Sequence, residues 1–408
     1  MTPFLALVFV LAVILITAKL AGYLSNRLGQ PSVLGELLVG VILGPSVINL
    51  AHLPFLSGAH VETTVSELGE LGVLLLMFLA GLELRLSDLA RNTRVSASAG
   101  VLGVLFPVSL GGVVGELSGM NLSESLFLGL TLGATSVSIS AQTLMELGVL
   151  RSRVGLGLLG AAVFDDVLVI LLLSTFLAIE SGGGGGVAIL LVLLRMIAFL
   201  ALSVAFGIWV LPRLVNRFAK LPISQGSLTL ALVLLLFYGL SAELLGNMAA
   251  ITGTFVAGLM YGRTPQHEDI ERGMSALAYS FFVPIFFTSI GLAINVRELD
   301  SNAILLTVLL ILVAVIGKMV GAGVGARIAD YNWRESMQLG AGMVSRGEVG
   351  LIVAQVGVNE GLLNANIFSA IVGMVLATTL ITPPMLRALF PKKREPEIAP
   401  QNETEPTE

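Results

Sequence analysis

Polar residues in this chain come in short clusters, and between them the sequence runs apolar for about 20 residues at a time, the length a helix needs to cross the hydrocarbon layer of a bilayer. The pattern predicts thirteen such helices, near residues 3–24, 33–50, 68–84, 95–116, 123–145, 154–179, 187–212, 226–244, 247–262, 275–294, 302–326, 335–358 and 365–390. Five consecutive glycines, Gly182 to Gly186, separate the sixth from the seventh, as a flexible boundary between two bundles or an ordinary loop. From residue 391 onward the sequence KKREPEIAPQNETEPTE is too polar and proline-rich to fold alone and reads as a disordered cytoplasmic tail behind a membrane domain of residues 1–390.

Composition agrees with a chain whose solvent is lipid. It is 55% hydrophobic and 12% charged with a mean hydropathy of +0.94, whereas soluble domains are roughly one-quarter charged. No lysine or arginine precedes Lys19, so the first apolar stretch lacks the basic start of a signal peptide and reads as a retained span. The cations are placed one-sidedly. Odd-numbered connections and the tail hold Arg27; Arg85, Arg91 and Arg94; Arg151 and Arg153; Arg213, Arg217 and Lys220; Arg263 and Arg272; Arg327 and Arg334; and Arg387, Lys392, Lys393 and Arg394. Even-numbered connections hold Arg297 alone. By the positive-inside rule the N-terminus lies outside and the C-terminus inside. The chain has no cysteine, and its three histidines lack metal-ligand spacing, so neither an enzyme nor a bound cofactor is expected.

Within these spans the rare charges point to chemistry. Asp165 and Asp166 are adjacent in the apolar stretch Val154 to Ile179, and a carboxylate at that depth costs roughly 2.5–3.5 kcal/mol on insertion scales. Their expected work is the handling of protons or cations. Spans four to six and eleven to thirteen have opposite orientation, as an inverted repeat requires, and the middle span of each triplet is interrupted: GATSVSIS at Gly133 to Ser140 and GAGMVSRGEVG at Gly340 to Gly350. Paired interruptions suit an ion site made from half-helix ends and unwound backbone; close packing through small residues is the alternative for either one alone. Lys318 lies mid-span and needs a carboxylate, which predicts a bridge to the aspartate pair. Arg346 and Glu348 can satisfy each other or the opened backbone. Glu36, close to the cytoplasmic start of the second span, is expected at the interface, with the lining of an entrance funnel as the alternative, and Arg195 has no evident role.

Together QPSVLGELLVGVILGPSVI (Gln30 to Ile48), LLMFLAGLEL (Leu75 to Leu84), ATSVSIS (Ala134 to Ser140), FDDV (Phe164 to Val167), Gly317-Lys318 and SRGEVGL (Ser345 to Leu351) resemble the second cation:proton antiporter family, which contains NapA-type sodium/proton antiporters and Kef-type potassium systems. The resemblance spans most of the chain. It implies an all-α membrane protein of thirteen transmembrane helices with inverted repeats and two crossed discontinuous helices. The core would be residues 95–179 and 302–390, the dimerisation helices 3–84 and 226–294, and the linker helix 187–212. By position, Asp166 would bind sodium or the transported proton in competition, Asp165 would pair with Lys318, Thr135 and Ser136 would sit at the first crossing, and Glu348 near the second, beside Arg346.

Two acids at this place resemble electrogenic sodium/proton exchangers, whereas Kef-type relatives usually carry a neutral residue first and a nucleotide-binding domain behind, features this sequence does not show. The expectation is a homodimer in the bacterial inner membrane exchanging Na+, with Li+ as surrogate, for protons by alternating access, with no nucleic-acid partner. Potassium/proton exchange of the Kef-like branch is the alternative. A channel or an intramembrane aspartyl protease fits less well, since adjacent residues lie about 100° apart on one helix and cannot face a common water.

Overall fold

A computed structural model describes residues 2–28, 30–50, 53, 61–82, 84, 92–180, 186–218, 222, 224–292 and 301–390; a few further side chains, that of Glu348 among them, lie outside that set. The glycines at 182–185, Arg297 and the tail 391–408 also fall outside it. The described chain is helical. In order it forms α1 (Pro3–Arg27), α2 (Ser32–Leu43), α3 (Val61–Leu82), α4 (Thr93–Leu117), α5 (Leu122–Gly133), α6 (Val137–Glu146), α7 (Arg153–Glu180), α8 (Gly186–Trp209) and α9 (Leu211–Phe218). It continues with α10 (Gly226–Leu244), α11 (Ala250–Tyr261), α12 (His267–Leu277), a π-turn at Ala278–Phe282, α13 (Val283–Leu292), α14 (Ser301–Ile328), α15 (Trp333–Gly342), α16 (Glu348–Asn359) and α17 (Ala365–Leu389).

Ten helical runs among the described residues are long and apolar enough to cross a membrane, with α5 and α6 taken as one run and α12 to α13 as another; α2, α11 and α16 are shorter apolar helices. Three boundaries differ from the hydrophobic pattern. Helix α2 stops at Leu43 rather than near residue 50, because Pro45 disfavours helical backbone at Gly44 and cannot donate to the ladder. Helices α3 and α12 start seven and eight residues earlier than expected. Their first turns are polar, which hides them from an apolar count, yet Val61, Val65 and Gly69, and likewise Ile270, Met274 and Ala278, are buried at four-residue spacing.

Two groups of helices emerge from the packing. Helices α4 to α7 pack with α14 to α17, and α1 to α3 pack with α10 to α13; α8 touches α7 of the first group and α11 of the second. The first group is held at its centre by a stripe of small residues. Gly317, Gly321 and Gly325, each four apart on α14, lie against Pro107, the Leu102 carbonyl and the Ser98 carbonyl of α4, where any β-carbon would meet those atoms. Such close backbone approach is how helices associate where no water drives them together. On the other side of α4, Gly100 meets Phe164 and Ala161 of α7. Helix α4 is thus clasped between α14 and α7, and Lys318 and the aspartate pair are brought to one depth.

One side of this group is tied by Tyr331, between α14 and α15. Its hydroxyl donates to the Arg153 carbonyl at 2.7 Å and to Asn92 Oδ1 at 3.2 Å, and the Arg153 guanidinium stacks 4.1 Å over its ring. Burial pushes the Tyr331 phenol up to about 12, so the hydroxyl remains a donor throughout the physiological range.

Candidate functional site

The two expected interruptions are real breaks. Helix α5 ends at Gly133, Ala134 and Ser136 are extended, and α6 begins at Val137. Helix α15 ends at Gly342 and α16 begins at Glu348, with Val344 to Gly347 unwound between them. Each broken helix is anchored at its outer start by the same device, an Asn-x-x-Glu capping box: Asn121 with Glu124 on α5, and Asn332 with Glu335 on α15. In both boxes the side chain and backbone bonds are 2.9 Å long, so the ends are satisfied while the middles are open.

The open middles meet each other. The Ser136 amide donates to the Ser345 carbonyl at 2.9 Å, and the Ser345 hydroxyl donates back to the Ser136 carbonyl at 2.5 Å. One turn on, the Ser140 hydroxyl donates to the Gly342 carbonyl at 2.5 Å and lies 3.2 Å from the Ser345 hydroxyl. Backbone groups that lost their helical partners thereby find them across the crossing, as a low-dielectric setting demands. Arg346, fully buried, serves as a C-cap for α15: Nη1 donates to the Met343 and Val344 carbonyls at 3.2 and 3.1 Å, and Nη2 to the Ala314 carbonyl of α14 at 3.4 Å. A cation at a helix C-terminus is favoured by the dipole as well as by these bonds.

Gly347 is required by this proximity rather than by its backbone angles, since its β-carbon would stand 2.6 Å from Ser136 Oγ and 2.7 Å from Ser136 Cβ. Gly347→Ala is expected to push the two breaks apart, costing about 1–3 kcal/mol as overpacking does and lowering transport several-fold. A thermal-shift assay paired with a flux assay checks this, and an alanine variant equal to the wild type in both would mean that the crossing is looser than drawn.

Across from the first break, α7 presents the aspartates, buried at 1% and 7% exposure, to two different neighbours. Lys318 Nζ, at 0% exposure, donates to Asp165 Oδ1 at 2.8 Å. Asp166 is turned the other way, and Thr252 Oγ1 of α11 donates to its Oδ2 at 3.0 Å. Beside Asp166 lies a cavity of about 10 Å³, room for about one water-sized particle, walled by Met77, Val137, Leu159, Ala162, Val163, Ile251, Thr252 and Phe255. Val137 opens α6, so the cavity adjoins the first break. Nearby, Thr135 Oγ1 in the break and the second oxygen of Asp165 are buried without a hydrogen-bond partner among the described residues, an arrangement that costs free energy unless something polar or charged visits.

Lys318 and Arg346 interact electrostatically with the acids, so the buried cluster holds two carboxylates against an ammonium and a guanidinium. A proton and a monovalent cation each add one positive charge to that cluster, so the same carboxylate can hold either.

Of the residues singled out in the sequence, Asp165 and Lys318 are brought into contact, and Ser136 sits at the crossing with Thr135 beside it. Arg346 takes the opened backbone as its partner. Glu348 opens α16, its side chain outside the described set. Glu36 is buried at 5% exposure, with Lys19 3.8 Å away. Arg195 is exposed on α8, at the edge of an apolar groove between α8 and α10. Thr252 was not foreseen: a threonine in an apolar helix carries no signal until the helix facing it is known. The four-residue glycine spacing on α14, which the sequence reading did not use, is the signal that could have placed α14 tightly against α4.

The model of the transmembrane sodium/hydrogen exchanger family matches residues 12–392. The chain is 41% identical over 385 residues to the Na(+)/H(+)-K(+) antiporter GerN of Bacillus cereus, covering 94% of this chain and 96% of that one. It is 35% identical over 385 residues to a Na(+)/H(+) antiporter of Enterococcus hirae, with 94% and 98% covered. Among solved structures, the sodium proton antiporter MjNhaP1 from Methanocaldococcus jannaschii superposes with a TM-score of 0.65 at 17% identity, over 95% of this chain and 96% of that one, a likeness of fold.

Proposed function

The chain belongs to the sodium/hydrogen exchanger family, and we propose from this that it exchanges sodium for protons across the membrane, with Asp166 binding either ion in competition. The observation that carries the reading is a buried carboxylate, Asp166, set beside a small cavity that adjoins a helix break, in which the Thr135 hydroxyl is buried without a partner among the described residues. Sodium is a hard cation that takes oxygen ligands, and Asp166, Thr135, Ser136 and an unwound carbonyl supply them. Asp165 and Lys318 form the neighbouring ion pair, and Arg346, with Glu348, supports the second break.

The ten long runs, together with α2, α11 and the α15–α16 pair, make thirteen crossings, with the N-terminus outside and the C-terminus inside as the cation distribution requires. Helices α4 to α7 and α14 to α17 are the inverted halves of a core; the matching capping boxes and matching breaks support this. Helices α1 to α3 and α10 to α13 form the scaffold through which two copies dimerise, and α8 links the two parts. The core rocks against the scaffold and shows Asp166 to each side in turn, in the bacterial inner membrane, without ATP. Exchange is electrogenic, and lithium substitutes for sodium.

The test is cation-induced dissipation of a preset pH gradient in proteoliposomes, with sodium, lithium and potassium compared. Sodium and lithium are expected to discharge the gradient. A response to potassium alone would move the chain to potassium/proton exchange, a reading favoured by the potassium in the printed name of the GerN antiporter. Absence of any response from folded protein would overturn both.

A further inference from the structure

Buried threonines here divide between those that turn inward on their own helix and those that reach across, as Thr379 does to the Arg346 carbonyl at 2.6 Å and Thr288 to the Glu36 carbonyl at 3.5 Å. Thr131, Thr143, Thr254, Thr378 and Thr382 donate to carbonyls three or four residues back, the usual resort of a hydroxyl in an apolar helix. Thr252, 3% exposed, instead donates to Asp166 Oδ2 on α7, a helix of the other packing group. It stands in the first turn of the twelve-residue α11, whose N-cap residue, Ala249, is extended and has no side chain to cap the free amides. The amino end of α11, with its partial positive charge, therefore lies at the level of the carboxylate. The rest of the facing wall is apolar: of the residues lining the cavity, Asp166 and Thr252 alone are polar, with Met77, Ile251 and Phe255 around them.

We propose that Thr252 is a positioning residue that docks the cargo-free Asp166 carboxylate onto α11 and competes with sodium for its oxygen. The inference rests on the reading of Asp166 as the cation-binding carboxylate. A hydroxyl bound to a carboxylate makes a charge-assisted bond, roughly twice as strong as a neutral one. Sodium coordinating Oδ2 draws on the same oxygen and weakens that bond, and once bound it places a cation before a helix N-terminus, where the dipole repels it. Loading thus weakens the tie between α7 and α11, and an empty carboxylate keeps it. A carrier built this way moves its core readily when occupied and poorly when empty, and that difference is what couples the two ion flows.

The decisive experiment uses the full chain in proteoliposomes at one fixed pH, with radioactive sodium flux and proton flux recorded together for wild type, Thr252→Val and Thr252→Ser. The valine variant keeps the shape and loses the hydroxyl. Its apparent KM for sodium is expected to fall about three- to tenfold at nearly constant kcat, the scale of one lost competing hydrogen bond. The protons moved per sodium should fall as well, because the empty core slips. The serine variant should restore wild-type values of both. A valine variant with unchanged KM and unchanged ratio overturns the proposal; a raised KM overturns it too, and makes Thr252 a sodium ligand. A lowered kcat with unaltered KM that serine also shows would mean a packing role only. Thr252→Ala provides the same readout if the valine variant does not fold. Failure of the underlying function looks different, since wild type itself would then move no protons in response to sodium.

Discussion

Asp166→Asn is expected to abolish sodium-driven dissipation of a pH gradient while leaving the protein folded. Asparagine keeps the size of the side chain, and its amide oxygen still accepts from Thr252 at the position held by Oδ2. What disappears is the negative charge. Losing one partner from a desolvated ion contact costs about 3–5 kcal/mol, so apparent sodium affinity should fall roughly 100-fold or more, and no proton site remains at that position. Thermal stability should hold or rise slightly, because Asp165 no longer has a like charge beside it. The assay is the gradient dissipation already described, run with the variant's melting temperature alongside. Sodium-driven exchange that survives in the variant would exclude Asp166 as the shared site and turn attention to Asp165.

The second large effect concerns stability before transport. Lys318→Ala strips the partner from Asp165, which is 1% exposed and has one oxygen already unpartnered among the described residues. An uncompensated buried charge costs about 3–5 kcal/mol, which in a chain of this size lowers the melting temperature by roughly 5 °C. The double change Asp165→Asn with Lys318→Gln should recover most of that loss, since a neutral amide pair can still hydrogen-bond. The same pair separates two roles for the lysine. If Lys318 carries a proton through the cycle, Lys318→Gln makes exchange electroneutral; if the ammonium is a fixed counter-ion, voltage dependence is unaltered. A melting temperature indifferent to Lys318→Ala would mean that Asp165 is neutral in the resting protein.

Much of this was legible along the chain for a definite reason. In lipid each polar residue is an expense, so the few that occur within apolar runs mark their own importance, and Asp165, Asp166, Lys318 and Arg346 stood out at once. The breaks were legible as polar, glycine-bearing stretches, though not their limits: the unwound residues number only a few within each stretch, because helix resumes as soon as the carbonyls across the crossing are reached. Helix starts were read poorly where polar residues alternate with buried ones, as at Val61 and His267. The contact of Glu36 with Lys19 was not foreseen, since Lys19 belongs to a neighbouring helix and cannot be anticipated from local sequence. The role of Thr252 was invisible for the same reason: it depends on the face α7 turns toward α11, and a periodic pattern on one helix says nothing of its neighbour's rotation.

The crossing also sets a timetable for biosynthesis. Ser136 and Ser345 are 209 residues apart, and Asp165 and Lys318 are 153 apart. At about 5–20 residues per second of synthesis, the first break and Asp165 wait roughly 10–40 s in the membrane before their counterparts emerge from the ribosome. Through that interval the nascent half carries an open backbone gap and an acid without its lysine. A chain that stalls before α14 can never complete the cluster, so incomplete molecules differ from finished ones by a charge buried in lipid, a feature that membrane quality control can act upon. The last quarter of the chain is in this sense the assembly factor for what precedes it, and the residues proposed for ion exchange double as the mark of a finished molecule.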